Sequence, residues 1–353
     1  MGIILSIAGE KELKKSIADK EYKGVYLIYG EESYLKQHYV GLLRNKVVDK
    51  AFEDFNAHFF EGKSTSMNEI IRCAEILPMM SDRSCVIVRD YALDALSKEE
   101  MKTLEAYLSD VAQSSVLIFW MDAIEVNSKK SAKWNKIIKM ISVAGMCVNL
   151  EKRDMRSLVK MVCDGGKKRN CEISADVGEY LVSQVGSDLR TLLNEVEKLS
   201  SFATGRKALK EDVDAVAVKS LEAKAFDLSK SIIRRDYEKA YLILNNLLAL
   251  REEPVIILSA VSSSFVDMYR VKCAKIAGFQ ALDVGKHYNY RNMDFRLRNA
   301  SRDCDALTVE QLRNSVRCLC EADMALKGSA PDKRLVLEET VVKLLLIARG
   351  DKV

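Results

Sequence analysis

Along the first 150 residues, short continuous apolar runs alternate with longer stretches in which apolar residues recur every three or four positions. The runs Val25 to Tyr29 (VYLIY), Ser84 to Arg89 (SCVIVR), Ser115 to Met121 (SVLIFWM) and Met146 to Leu150 (MCVNL) read as buried strands, with Asp54 to Phe60 (DFNAHFF) as a further strand candidate. Between them, Ser33 to Val48, Met67 to Leu77, a segment from Ser97 through Leu108, and Lys129 to Ile141 carry helical periodicity. Ser66 with Glu69, and Ser97 with Glu100, have the spacing of reciprocal helix caps. Short apolar strands separated by helices predict an α/β domain, with a largely parallel sheet covered on both faces.

After Leu150 the strand signal disappears. Residues 154–216 predict a small helical module: Met155 to Val162 or a little beyond, Ala175 to Val185, Leu189 to Ala203, and a short segment after Lys210. Leu189, Leu192, Leu193, Val196 and Leu199 fall on one helical face. From Ala217 onward the pattern stays helical, including Asp236 to Leu250, Pro254 to Gly278, Tyr290 to Arg302, Thr308 to Leu326 and Lys333 to Ala348. Pro254 suits a helix start, Gly278 a stop, and Thr308 with Gln311 a third cap. The expected division is an α/β domain over 1–150, a small helical domain over 151–216 and a helical bundle over 217–353.

Composition narrows the function classes. With 353 residues, 48% hydrophobic, 3 Pro and 16 Gly, the chain is neither collagenous nor broadly disordered. A formal net charge of +4 is small for this size, so any nucleic-acid contact is local. Nine scattered cysteines without a CxxC pair, and three distant histidines, argue against a disulfide framework or zinc site. No signal-peptide pattern opens the sequence and no apolar run approaches a membrane span, which places the chain in the cytoplasm.

The turn after the first strand, Gly30 to Gln37 (GEESYLKQ), stands where a nucleotide-binding domain would carry GxxxxGK[ST]. Lys36 is in register, but Leu35 replaces the second glycine, Gln37 replaces the hydroxyl residue, and Glu31 and Glu32 would repel phosphate. A second fragment, Gly62, Lys63 and Ser64, copies only the end of that motif. GxSxG, HExxH and GxGxxG are absent, so the chain does not read as an enzyme. Ile76 to Arg83 (ILPMMSDR) is an apolar corner in which Pro78 ends the preceding helix. Periodicity leaves two readings open for Leu77, Met79 and Met80: closure of the core beneath the sheet, or a protruding anchor for a partner's pocket. Lys129, Lys133, Lys136 and Lys139, with Lys130, form a basic cluster, and Lys167, Lys168 and Arg169 form a short run beside Gly165 and Gly166. Both suit a solvated surface or phosphate contact, and Arg291, Arg296 and Arg298 give a similar weak signal.

The order and spacing of VYLIYGEESYL at 25–35, EILPMMSDR at 75–83, GSDLR at 186–190, NEVEKL at 194–199 and the segment Leu335 to Leu346 resemble the delta subunit family of the bacterial DNA polymerase III clamp loader. The resemblance implies an ATPase-related (AAA+) first domain, a helical lid over 151–216 and a helical collar over 217–353 that serves oligomerisation. It implies a subunit that does not hydrolyse ATP and binds no cofactor, with ATP and magnesium acting in neighbouring subunits of the DNA polymerase III holoenzyme. The implied partners are the sliding clamp (beta subunit), the ATP-binding tau/gamma subunits, delta-prime and primed DNA. The implied role is to bind the clamp and open its ring for loading during replication. The family's clamp-binding residues fall on Met79 and Met80, with Leu77 in support. Many relatives carry leucine and phenylalanine at the two central positions, where this chain has two methionines. Two rivals remain at this stage: an ATPase of the same general fold with an unusual loop, and a DNA-binding protein without loader partners.

Overall fold

The computed structural model describes residues 8–127, 130–290, 293–328 and 332–351. It divides into two compact units, Met1–Lys152 and Arg153–Val353. Lys129 and Arg291, singled out above, lie outside the described residues.

In the first unit the order is α1 (Glu10–Ala18), β1 (Val25–Tyr29), α2 (Ser33–Val47), α3 (Glu53–Asn56), β2 (Ala57–Glu61), α4 (Met67–Glu75), β3 (Ser84–Arg89), α5 (Lys98–Ser109), β4 (Ser115–Trp120), α6 (Ala132–Ala144) and β5 (Met146–Asn149). The five strands form one parallel sheet in the order β2-β3-β4-β1-β5. Continuous apolar runs suit such strands because both faces are covered. On one face Val25, Leu27, Val86, Val88, Leu117 and Phe119 pack with Ile70 of α4, Leu104 of α5 and Ile137 of α6. On the other, α2 packs on β1, β3 and β4, and α1 on β5. The two edge strands are less covered: β2 has no buried residue, and β5 is buried only at its two central positions.

The sequence expectations hold with shifts at element ends. Asp54 to Phe60 is not one strand: the helical turn α3 takes its first residues and β2 begins at Ala57. The helix expected over Lys129 to Ile141 runs from Ala132 to Ala144, and the one expected to Leu77 stops at Glu75. Ser97 and Glu100 form the full reciprocal cap, whereas Ser66 supplies only its hydroxyl half, accepting from the Glu69 amide. Helix α1 had no counterpart in the pattern reading.

The second unit is helical: α7 (Met155–Lys167), α8 (Ala175–Val185), α9 (Leu189–Phe202), α10 (Lys210–Val216), α11 (Leu221–Ile233), α12 (Tyr237–Ala249), α13 (Pro254–Ile276), α14 (Asp294–Asp303), α15 (Val309–Lys327) and α16 (Lys333–Arg349). Leu189, Leu192, Val196 and Leu199 are buried, as their spacing predicts. Helices α11–α16 share a core built around Ile257, Val261, Phe265 and Met268 of α13. Helix α11 lies within the stretch expected to be helical from Ala217, and the helix expected from Tyr290 begins at Asp294. By length and composition α13 could cross a membrane, which corrects the expectation that no segment comes near that test. It carries the buried Asp267, which accepts from Arg296 Nε at 2.8 Å and from the Tyr290 hydroxyl. A paired carboxylate and a bundle-wide core account for α13 as a central helix of this unit.

Burial also sets an alkaline limit to stability. Burial pushes the thiols of Cys85 and Cys147 up to about 12 and about 11, and the hydroxyls of Tyr29 and Tyr107 up to about 12. Each folded value lies above its unfolded one, so the native state holds protons that the unfolded chain releases. The stability contributed by these groups is full below pH 9 and is lost as pH rises toward 12. We expect urea denaturation to register a loss of ~2 kcal/mol or more between pH 8 and 10.5. A Cys85→Ala/Cys147→Ala variant should flatten that slope; an unchanged slope would sink the assignment to these thiols.

Candidate functional site

In a parallel sheet all strands start at one edge and end at the other, and this unit uses the two edges differently. At the carboxyl edge, where nucleotides bind in open α/β sheets, the loops are closed on their own backbone. Gly30 has φ +122°, and a Cβ built there would stand 2.3 Å from the carbonyl oxygen of Leu150. The same carbonyl accepts the Glu32 amide at 3.0 Å. Lys36, 3% exposed, directs its ammonium to the carbonyls of Met121 at 2.7 Å and Asp122 at 3.2 Å. Burial pushes its pKa below the ordinary lysine value, opposed by the carboxylates of Asp122, Asp90 and Glu32. The lysine in register with a phosphate-loop lysine is therefore a tie between α2 and the end of β4.

Neighbouring groups at that edge are likewise committed to structure. Asp90 accepts the backbone amides of Asp122, Ala123 and Ile124 at 2.8 to 3.1 Å. Arg89 pairs with Asp122 at 2.6 Å. Gly62 sits where a Cβ would meet the Tyr91 backbone at 2.3 Å, so the Gly62-Lys63-Ser64 fragment is a close-packed turn. Among the described residues no group of three or more His, Cys, Asp and Glu is placed to hold a metal ion.

The apolar corner lies at the opposite, amino edge. Helix α4 ends at Glu75, Pro78 prevents its continuation, and the chain turns before entering β3 at Ser84. Leu77, Met79 and Met80 are 78%, 53% and 76% exposed, and Ile76 is exposed beside them. Of the two readings left open by periodicity, core closure is excluded by these exposures. Met80 adopts φ +51°, a conformation that costs a non-glycine residue energy. The turn is held from below by Asn56, the residue just before β2. Its side-chain Oδ1 accepts the Met79 amide at 2.7 Å, and its Nδ2 donates to the carbonyls of Met79 at 2.9 Å and Phe52 at 3.1 Å. Arg83, where the turn meets β3, stacks its guanidinium 5.6 Å from the centre of the Tyr22 ring.

Residues 26–146 match the family model described as DNA polymerase III, delta subunit, and residues 222–344 match the model of that subunit's C-terminal domain. The chain is 27% identical over 338 residues to the DNA polymerase III subunit delta of Bacillus subtilis (strain 168), covering 94% of this chain and 95% of that protein. The chain belongs to the DNA polymerase III delta subunit family. A solved structure of the Bacillus subtilis DNA clamp loader delta protein is 26% identical, with a TM-score of 0.62 over 95% of this chain and 99% of that one. A probable DNA polymerase III subunit delta of Aquifex aeolicus (strain VF5) is 24% identical over 285 residues, 77% of this chain and 78% of that protein.

The basic residues expected at the surface or on phosphate are dispersed. Lys133 and Lys136 are exposed on α6 in the first unit, Lys136 pairing with Glu105 at 3.3 Å. In the second unit Lys167 is the last residue of α7, with Lys168 as its C-cap and Arg169 next, where cations suit the helix dipole. Arg169 donates to the Gly165 carbonyl at 3.1 Å. Gly165 and Gly166 are packing residues, since a Cβ on Gly166 would meet Ile173 at 2.7 Å. Arg296 is committed to Asp267, and Arg298 faces Glu179 at 3.8 Å. Pattern reading missed Phe55 and Asn56; Phe55, 58% exposed, immediately precedes Asn56 and shares its helical turn.

Proposed function

We propose that this delta subunit binds the ring-shaped sliding clamp through Leu77, Met79 and Met80 and opens, or holds open, one interface of the ring for loading onto primed DNA. The observation that carries this reading is the exposed apolar turn, fixed in place at the sheet edge remote from the closed carboxyl-edge loops. Methionine side chains adapt to irregular pockets, and apolar anchors entering such pockets dominate interface energies.

Opening a ring by binding is a shift of population. A ligand changes the open fraction only by its differential affinity for the two states. Taking a ring from one per cent to ninety-nine per cent open needs about a 10⁴-fold preference for the open form. In this reading the chain supplies that preference by contact and carries out no bond chemistry of its own. ATP and magnesium act in the neighbouring tau/gamma subunits, and the support here is the engagement of Lys36 by two backbone carbonyls. Polymerase activity then belongs to the holoenzyme. The helices over 217–353 would form a collar joining tau/gamma and delta-prime, residues 151–216 a lid, and residues 1–150 the AAA+-related clamp-binding domain, all in the cytoplasm.

DNA contact in this reading is phosphate positioning by Lys133, Lys136, Lys167, Lys168 and Arg169. Lys133 favours it most, because it occupies the first turn of α6, where the helix dipole disfavours a cation and gives it no stabilising role.

Calorimetric titration of the purified chain with the sliding clamp of the same organism tests the proposal. Saturable binding of equal strength with and without ATP is expected. A chain that fails to bind the clamp, or binds only when it holds ATP itself, would refute it.

A further inference from the structure

We infer that Asn56 is the positioning residue of the exposed turn, its carboxamide clamping Met79 so that Met79 and Met80 are presented to a partner already in their bound conformation. The inference rests on the clamp-binding reading for its functional half, while its structural half stands alone.

Three observations converge. Asn56 is only 1% exposed although it lies next to a surface turn. Its side chain grips both polar groups of the Met79 backbone, accepting the amide at 2.7 Å and donating to the carbonyl at 2.9 Å, with a second donation to Phe52. The residue that follows, Met80, is held at φ +51°. An unfavourable backbone conformation persists only where surrounding contacts over-determine it. Across the gap between residue 56 and residue 79, the carboxamide supplies two such contacts at the neighbouring residue. Asparagine suits the task because a single planar group offers one acceptor and two donors, matching an exposed peptide's N–H and C=O together. Without it, the turn samples other conformers, and the apparent dissociation constant rises as the competent fraction falls.

The experiment compares full-length wild type with Asn56→Ala by amide hydrogen exchange at Met79 and by calorimetry against the sliding clamp. Exchange at Met79 is expected to accelerate while β3 stays protected, and affinity to fall roughly tenfold. Ile137→Val, a buried truncation in α6, is the control for lost stability and should leave affinity unchanged. If Asn56→Ala does not fold, Asn56→Asp takes its place; it keeps the shape and the acceptor and loses both donations.

Unchanged exchange at Met79 would overturn the inference outright. Faster exchange with unchanged affinity, in a protein whose binding does depend on Met79 and Met80, would overturn its functional half. A matching loss in Ile137→Val would reduce Asn56 to a stability residue and overturn it as well. Absence of wild-type clamp binding with accelerated exchange in the variant would sink the clamp reading while upholding the positioning of the turn.

Discussion

Changing Met79 and Met80 together to alanine is expected to weaken binding to the sliding clamp about a hundredfold, while the thermal midpoint stays within about two degrees of wild type. Burying a methionine side chain from water contributes about 1.5–3 kcal/mol. Both residues are more than half exposed in the free chain, so most of that gain is still available to a partner. Two such losses come to ~3 kcal/mol, which is roughly a hundredfold in affinity. For the same reason little packing is lost within the fold, and the Asn56 clamp on the Met79 backbone does not involve the side chains removed. Calorimetry and a thermal melt on the same preparations decide the matter. Undiminished affinity would move the anchor elsewhere on the molecule, and a melt lowered by ten degrees would mean that the two side chains belong to the core.

Lys36→Met should behave in the opposite way, costing about 2–4 kcal/mol of folding stability with no change in nucleotide binding. The substitution keeps the stem but strands the Met121 and Asp122 carbonyls and removes the cation facing Asp90, Asp122 and Glu32. Removing one member of a buried polar network leaves the others desolvated and unpaired, which is why the cost is large even though burial already disfavours the ammonium. Urea denaturation reads the stability, and titration with ATP reads the nucleotide. An ATPase with an unusual loop predicts instead that wild type binds ATP and that the variant loses it. That result would overturn the structural role assigned to Lys36.

The parallel strands were legible because each is a continuous apolar run, the signature of a strand buried on both faces. Helix starts at Ser97 and Thr308, and the stop at Gly278, were legible because their side chains or lack of one act within three residues of themselves. The resemblance to the delta family rested on the order of modest motifs, and the matches over residues 26–146 and 222–344 support it. What escaped depends on distance along the chain. Phe55 and Phe59 make DFNAHFF look like one strand, yet both are exposed, because the segment lies at a sheet edge that no local pattern announces. Asn56 is unremarkable in sequence; its role appears only when β2 and β3 pair and bring Met79 within reach. The fate of Lys36 was hidden in the same way, since its acceptors at Met121 and Asp122 directly follow a strand, β4, made much later. Whether Leu77, Met79 and Met80 faced inward or outward turned on where the corner sits against the sheet, information that periodicity does not hold.

The position of β1 has a consequence for how the chain is made. It is synthesised first among the strands, yet it lies inside the sheet, with Val25 opposite Leu117 on one side and Tyr26 opposite Met146 on the other. At bacterial rates of roughly 5–20 residues per second, the ribosome takes on the order of ten seconds to travel from β1 to β5. For that interval VYLIY has no native partner on its β5 side, an apolar edge of the kind that recruits other chains. The finished domain hides this strand completely, so its period of greatest danger falls during translation, before the protein exists as a whole.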